Sequence, residues 1–122
     1  MDRIEEFEIA GKKFMYIDLS NFKSNEDFKN ETALIEPIIA KYPENSLYTI
    51  TNIENVRFDT NSKEVVANYM KNNKPYVKNG VVIGIDGIKK ILVTMVMKMS
   101  GRGNMHFAFS KEQAIEWLLK QD

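Results

Sequence analysis

Residues 46 to 109 alternate between short apolar runs and helical patterns, and this alternation restricts the chain to few architectures. Leu47-Tyr48-Thr49-Ile50 and Val81-Val82-Ile83-Gly84-Ile85 are continuous apolar runs of the kind found in strands buried on both faces. Each is followed by a segment with apolar residues at three- and four-residue spacing. A parallel strand pair needs a crossover to carry the chain back, and a helix supplies it. The pattern therefore predicts an α/β layer fold with a mostly parallel central sheet.

The flanks extend this order. Residues 5 to 10 and 12 to 19 alternate apolar and polar positions around Gly11-Lys12, as a β-hairpin does. Ser24 is placed to cap a helix running to about Tyr42, with Glu26 and Asp27 in its first turn and Phe28, Thr32, Ile35, Ile39 and Tyr42 on one stripe. Pro37 lies inside that pattern and predicts a kink or a break. After the strand at 46 to 51, the connection 52 to 61 carries Val56 and Phe58 as apolar pegs. A helix over 62 to 73 turns Val65, Val66, Tyr69 and Met70 inward, and Asn61 with Glu64 resembles a capping box. Asn79-Gly80 suggests a bulge in the strand over 77 to 85. Asp86 can cap a helix over 87 to 100, followed by a turn at 100 to 104 and a strand over 105 to 109. Ser110 with Gln113 opens a last helix that buries Ala114, Trp117 and Leu118. The result is a hairpin followed by α-β-α-β-α-β-α.

With 122 residues, 43% of them hydrophobic, the chain is read as a single domain spanning residues 1–122 with one real core. Lys plus Arg equals Asp plus Glu at 17 each, so there is no overall basic footprint and nucleic acid is not an expected partner. The absence of Cys excludes disulfides and thiolate metal sites, in keeping with a reducing compartment. The charged start Met1 to Glu6 carries no secretory-type apolar region. The most apolar window, Ile85 to Met99, is interrupted by Asp86, Lys89, Lys90 and Lys98, so no transmembrane segment is expected. These features suggest a cytoplasmic location.

The element order resembles the STAS-like fold of anti-sigma-factor antagonists. It is closer to the SpoIIAA-like (STAS/Sec-fourteen-type) group of small bacterial proteins, many of them uncharacterised. The residues that carry the resemblance are Tyr16 to Ser20, Asn73 to Lys78, Val82 to Leu92, Ser100-Gly101-Arg102 and Phe109 to Leu118, within a similarity covering about residues 12 to 119. It implies a non-enzymatic regulatory or protein-binding module. In anti-sigma-factor antagonists a serine in an Asp-Ser-Ser-Gly turn at the start of the second helix is phosphorylated by a partner kinase. The corresponding stretch here is Asp59-Thr60-Asn61-Ser62. Asp59 matches and Thr60 matches loosely. Asn61 falls at the phosphorylated serine and Ser62 at the glycine. A one-residue shift of the loop presents Thr60 or Ser62 instead.

Four constellations are candidates for function. The Asp59 to Ser62 turn is a candidate phospho-regulated or interaction site, since a helix N-terminus stabilises a dianion; its structural alternative is a simple helix cap. Gly84-Ile85-Asp86-Gly87 lacks both the three spaced glycines of a dinucleotide site and the Gly-Lys-Ser/Thr of a phosphate loop, and reads as a tight turn with a cap. The helix over 87 to 100 is apolar around much of its circumference. Ile88, Ile91, Leu92, Met95 and Met99 form an expected inner stripe, which Val93, Val96 and Met97 widen. Three readings stand for this helix: a homodimer or partner surface, one wall of a pocket for an apolar or lipid-like ligand, or deeper burial in the monomer. Lys89, Lys90, Lys98 and Arg102 flank it as a basic rim that can stay solvated or touch a membrane. His106 is the single histidine; without a second ligand nearby it builds no metal site, and as a general base it needs an Asp or Glu beside it in a cleft. The sequence implies no cofactor. It favours a homodimeric protein-interaction module, with an apolar-ligand carrier second and an enzyme using His106 third.

Overall fold

In the computed structural model of the chain, residues 3–59, 61–101 and 103–121 are described, with all of their side chains but those of Ile88 and Leu92. The elements run β1 (Ile4–Ile9), β2 (Lys12–Asp18), α1 (Asn25–Ile39), β3 (Leu47–Asn52), α2 (Ser62–Asn73), β4 (Val77–Ile83), α3 (Gly87–Ser100), β5 (Met105–Phe107) and α4 (Lys111–Leu119). The five strands lie side by side in sequence order, with β1 antiparallel to β2 and every later pair parallel. This is the hairpin and mostly parallel layer that the sequence predicts.

Because each parallel strand lies beside its predecessor, crossovers of one hand place their helices on one face. There Met15, Ile17, Leu47 and Val82 of the sheet pack with Phe28, Ile35 and Ile39 of α1, Val66, Tyr69 and Met70 of α2, and Val93 and Val96 of α3. Helix α4 follows the last strand and covers the opposite face, where Ala114 and Leu118 pack on Phe14, Tyr48, Ile50, Val81 and Ile83. Both faces of β3 are therefore dry, which is why Leu47 to Ile50 is an unbroken buried run.

Local chemistry sets the ends of the elements. The hairpin turns at Ala10-Gly11, both at positive φ (52° and 79°), one residue earlier than the Gly11-Lys12 expectation. A two-residue turn of this kind needs two successive left-handed residues, and Lys12 is already paired with Ile9. Ser24 caps α1 by accepting from the Asp27 N–H at 3.1 Å. Helix α1 runs through Pro37 without the expected break and ends at Ile39, so Tyr42 lies beyond the helix. The bulge in β4 is present: Val77 pairs with Leu47 and Asn79 with Tyr48, which leaves Lys78 as the extra residue. Asp86 caps α3 through the Lys89 N–H at 2.9 Å. Ser110 accepts from the Gln113 N–H at 3.1 Å, and the Gln113 carbonyl reaches back to the Phe109 N–H at 2.8 Å.

Two further expectations need correction. The last strand stops at Phe107, not 109; Phe109 is 93% exposed, its N–H taken by Gln113. Helix α3 is also seated differently. Val93 and Val96 are buried with Ser100, whereas Ile91, Met95 and Met99 of the expected inner stripe are exposed. Two apolar stripes of equal period share this helix, and period alone does not choose which one meets the sheet. Ile88 and Leu92, of the same expected stripe, lie outside the described side chains. No described helix is long and apolar enough to cross a membrane.

Candidate functional site: the α2–α3 face and the turn before α2

The turn before α2 is a closed hydrogen-bonded knot. The Asp59 carboxylate accepts from the Asn61 N–H at 2.9 Å and from the Asn25 amide at 3.0 Å. The Ser62 hydroxyl accepts from the Asp59 N–H at 2.7 Å and donates to the Asn25 carbonyl at 2.8 Å. Asn61 makes no side-chain capping bond, so the expected Asn61–Glu64 box does not form. Asp59 and Ser62 instead accept from the N–H groups of Asn61 and Asp59, just ahead of the helix. Donation from Asn25, then from the Asn61 N–H, holds the exposed Asp59 carboxyl below its ordinary pKa. Of the four residues singled out here, Asp59 and Asn61 are exposed, Ser62 is 1% exposed, and Thr60 lies outside the described residues. A buried hydroxyl engaged as both donor and acceptor is closed to an incoming kinase while the knot holds.

Asn25 belongs to α1, and nothing in its local sequence announces the contact. The neighbouring loops carry two more features that the sequence reading missed. Asn21 and Asn55 both adopt positive φ (69° and 59°), and the Asn55 amide donates to the Asn21 carbonyl at 2.9 Å. Lys23 donates to the Asn55 side chain at 2.7 Å. Asparagine's tolerance of the left-handed region was the available signal for these turns. Gly84 also has positive φ (77°), and a Cβ there would lie 2.7 Å from the Glu54 backbone nitrogen. These contacts tie together the loops at the carboxyl ends of β2, β3 and β4, the end where open α/β sheets place their ligands. Among the described residues no group of three or more His, Cys, Asp or Glu could hold a metal ion.

Beside the knot runs the outer face of α3. Ile91, Met95 and Met99 lie four residues apart and are 66%, 44% and 66% exposed. Lys90, Thr94 and Lys98 form the adjacent row, in which Lys90 and Lys98 are exposed and Thr94 half-buried. Met97 is half-buried against the core, and Val96 lies within it. Met99 shares a shallow surface groove with Asn61, Lys63, Glu64, Ala67 and Asn68. Asn61 of the knot and the end of the apolar strip therefore border the same depression. The expected interface residues thus divide into a wet strip (Ile91, Met95, Met99) and a dry side (Val96, with Met97 at its edge).

The space between the sheet and α1–α3 includes an apolar cavity of ≈ 50 Å³ lined by Ile17, Phe28, Tyr69, Met70, Val82 and Val93 among others. A cavity that holds benzene is about 150 Å³, and ligand pockets run to several hundred. A lipid-like chain does not fit without opening the core. Ile91, Met95 and Met99 are not among the residues that line it.

His106 stands apart, on edge strand β5 and on the α4 face of the sheet. Its exposed ring stacks on Trp117 with centroids 4.2 Å apart and planes 6° apart, which also leaves Trp117 half-buried and not in the core as expected. Glu116 lines the same shallow groove, yet among the described residues no carboxylate bonds the imidazole. A general base needs an oriented partner and a substrate site within reach, and this face presents a flat aromatic stack.

No protein-family model matches the chain. No curated protein matches it either. Among solved structures it is similar to an uncharacterised protein of the DUF3478 family with a SpoIIAA-like fold from Shewanella loihica PV-4. The TM-score is 0.65 at 14% identity, over 94% of this chain and 91% of that one. The fold is therefore SpoIIAA-like, of the STAS type that the element order resembles. At that identity the likeness concerns architecture, and one architecture hosts many activities.

Proposed function

We propose that this chain is a non-catalytic protein-interaction or regulatory module of STAS-like type that works through its α2–α3 face, with the Asp59 to Ser62 turn at one end of the contact. The observation that carries this reading is the exposure of Ile91, Met95 and Met99 in a row on an otherwise well-seated helix. Scattered single apolar residues on a surface mean little, but a contiguous strip marks a place where something docks. Methionine suits such a strip because its side chain repacks readily against a partner. Both a homodimer and a complex with another protein meet the description. Asp59 and Asn61 are the exposed polar members of the turn, and the place of Asn61 in the Met99 groove gives regulation a route to the interface.

Met95→Glu tests the reading. The variant should keep the wild-type circular dichroism and melting temperature. It should lose self-association in sedimentation velocity, or lose the complexes that the immobilised wild type forms in cell extract. A wild type that associates with nothing, or a variant that keeps every association, overturns it.

A further inference from the structure

The charge and size of the strip select among its occupants, given the interaction reading above. Helix α3 contains no acidic residue between Gly87 and Ser100 and carries Lys89, Lys90 and Lys98. Lys89 faces the Asp86 cap, with the charges 3.8 Å apart. The Lys90 ammonium lies over the Phe107 ring, 5.3 Å from its centroid. Lys98 is exposed one turn beyond Thr94. Lys90 and Lys98 thus line one flank of Ile91–Met95–Met99 along its length.

A second copy meets this arrangement poorly. An antiparallel two-fold pairing that lays strip on strip keeps the lysine rows on the same flank, and Lys90 of one copy then meets Lys98 of the other. A parallel pairing puts the two rows on opposite flanks, and Glu64, the acidic residue of the Met99 groove, stands beside Lys63 there. The strip is also short: the eight-residue step from Ile91 to Met99 is about 12 Å of helix. A standard interface covers about 800 Å² on each partner. Three side chains and two ammonium groups suit one docked segment better than a whole domain face.

We propose that the Ile91–Met95–Met99 strip, with Lys90 and Lys98 beside it, docks an amphipathic helix of another protein that carries acidic residues along one side of its apolar face. The apolar stripe would supply the buried area, and the carboxylates would set orientation and exclude basic segments.

Two fluorescent helical peptides of equal length test this. Both carry the same leucine stripe, one flanked by glutamates and one by lysines, and anisotropy reads their binding to the full chain. The acidic peptide should bind at least about tenfold tighter than the basic one and weaken as salt is raised. Lys90→Glu with Lys98→Glu should invert the preference, and Met95→Glu should abolish binding of both. Equal binding of the two peptides, or a preference that survives the double charge reversal, overturns the proposal but leaves an interaction module standing. A wild-type dimer that Met95→Glu dissolves does the same, with a second copy as the occupant. Binding to phosphatidylserine vesicles through Met95, with neither peptide bound, overturns both the acidic helix and the protein-interaction reading. So does the absence of any association.

Discussion

The Ser62 hydroxyl donates to the side-chain carbonyl of Asn25 at 2.8 Å, joining the N-terminal ends of α2 and α1 across 37 residues of chain. Both helices thereby share one polar anchor. Ser62 is 1% exposed, so removing the hydroxyl leaves the Asp59 N–H and the Asn25 carbonyl short of a partner in a part-buried site. Ser62→Ala should destabilise the protein by about 1–3 kcal/mol in urea unfolding. A double-mutant cycle with Asn25→Ala should return a coupling of about 1 kcal/mol. Additive effects would show that the two residues do not act as a unit.

Asp59 makes the same knot sensitive to acid. Its folded pKa lies below the ordinary 3.8 because Asn25 and the Asn61 N–H donate to the ionised form. A lowered folded value means stability that is present above the unfolded pKa and lost as pH falls through the folded one. The urea midpoint of the wild type should fall relative to that of Asp59→Asn as the pH drops below the ordinary carboxyl value of 3.8. Parallel curves below that value would rule out a folded-state role for the charge.

Tyr42 should act at the other end of the scale. Desolvation first, then its hydrogen bond to the Glu6 carboxylate and the negative charge of that group, push its pKa from 10.0 to about 12. The folded state holds the phenol proton longer than the unfolded chain. The associated stability is therefore full below pH 10 and lost as pH rises toward 12. Tyr42→Phe should flatten the alkaline limb of the stability curve, and spectrophotometric titration should show one late-ionising phenol missing in the variant.

Gly84 and Gly87 flank the same turn but differ in what surrounds them. A Cβ at Gly84 would lie 2.6 Å from the Asn52 side-chain oxygen and 2.7 Å from the Glu54 nitrogen, at a φ of 77° that side chains avoid. Gly84→Ala should cost about 2 kcal/mol or more. A Cβ at Gly87 meets nothing within 4 Å. Gly87→Ala should be neutral or stabilise by up to about 1 kcal/mol, since alanine favours the helix and restricts the unfolded chain. Thermal melts of the two variants check the contrast.

Val96 and Met95 are neighbours in sequence on α3 with very different burial, at 0% and 44% exposure. Val96→Ala should cost about 2 kcal/mol by opening a void in the core. Met95→Ala should change stability by no more than about 0.5 kcal/mol. The reverse ranking would mean that the helix is rotated and that the exposed strip does not exist.

Much of this architecture is local in origin and is read directly from the chain. The continuous run at Leu47 to Ile50, the caps at Ser24, Asp86 and Ser110 and the bulge beside Asn79-Gly80 each follow from a few adjacent residues. Together they place every strand and helix in order, and a crossover between neighbouring parallel strands then admits few topologies. What the chain leaves open is long-range. Helix α3 carries two apolar stripes of equal period, and only contact with α2 and the sheet selects Val93 and Val96 as its inner side. The Asn25–Ser62 anchor joins residues 37 apart whose neighbours give no sign of each other. Period and propensity act over a few residues, whereas burial is settled by surfaces that meet only when the whole sheet has formed. The elements were therefore written in the sequence, and the face left open for a partner was decided by packing.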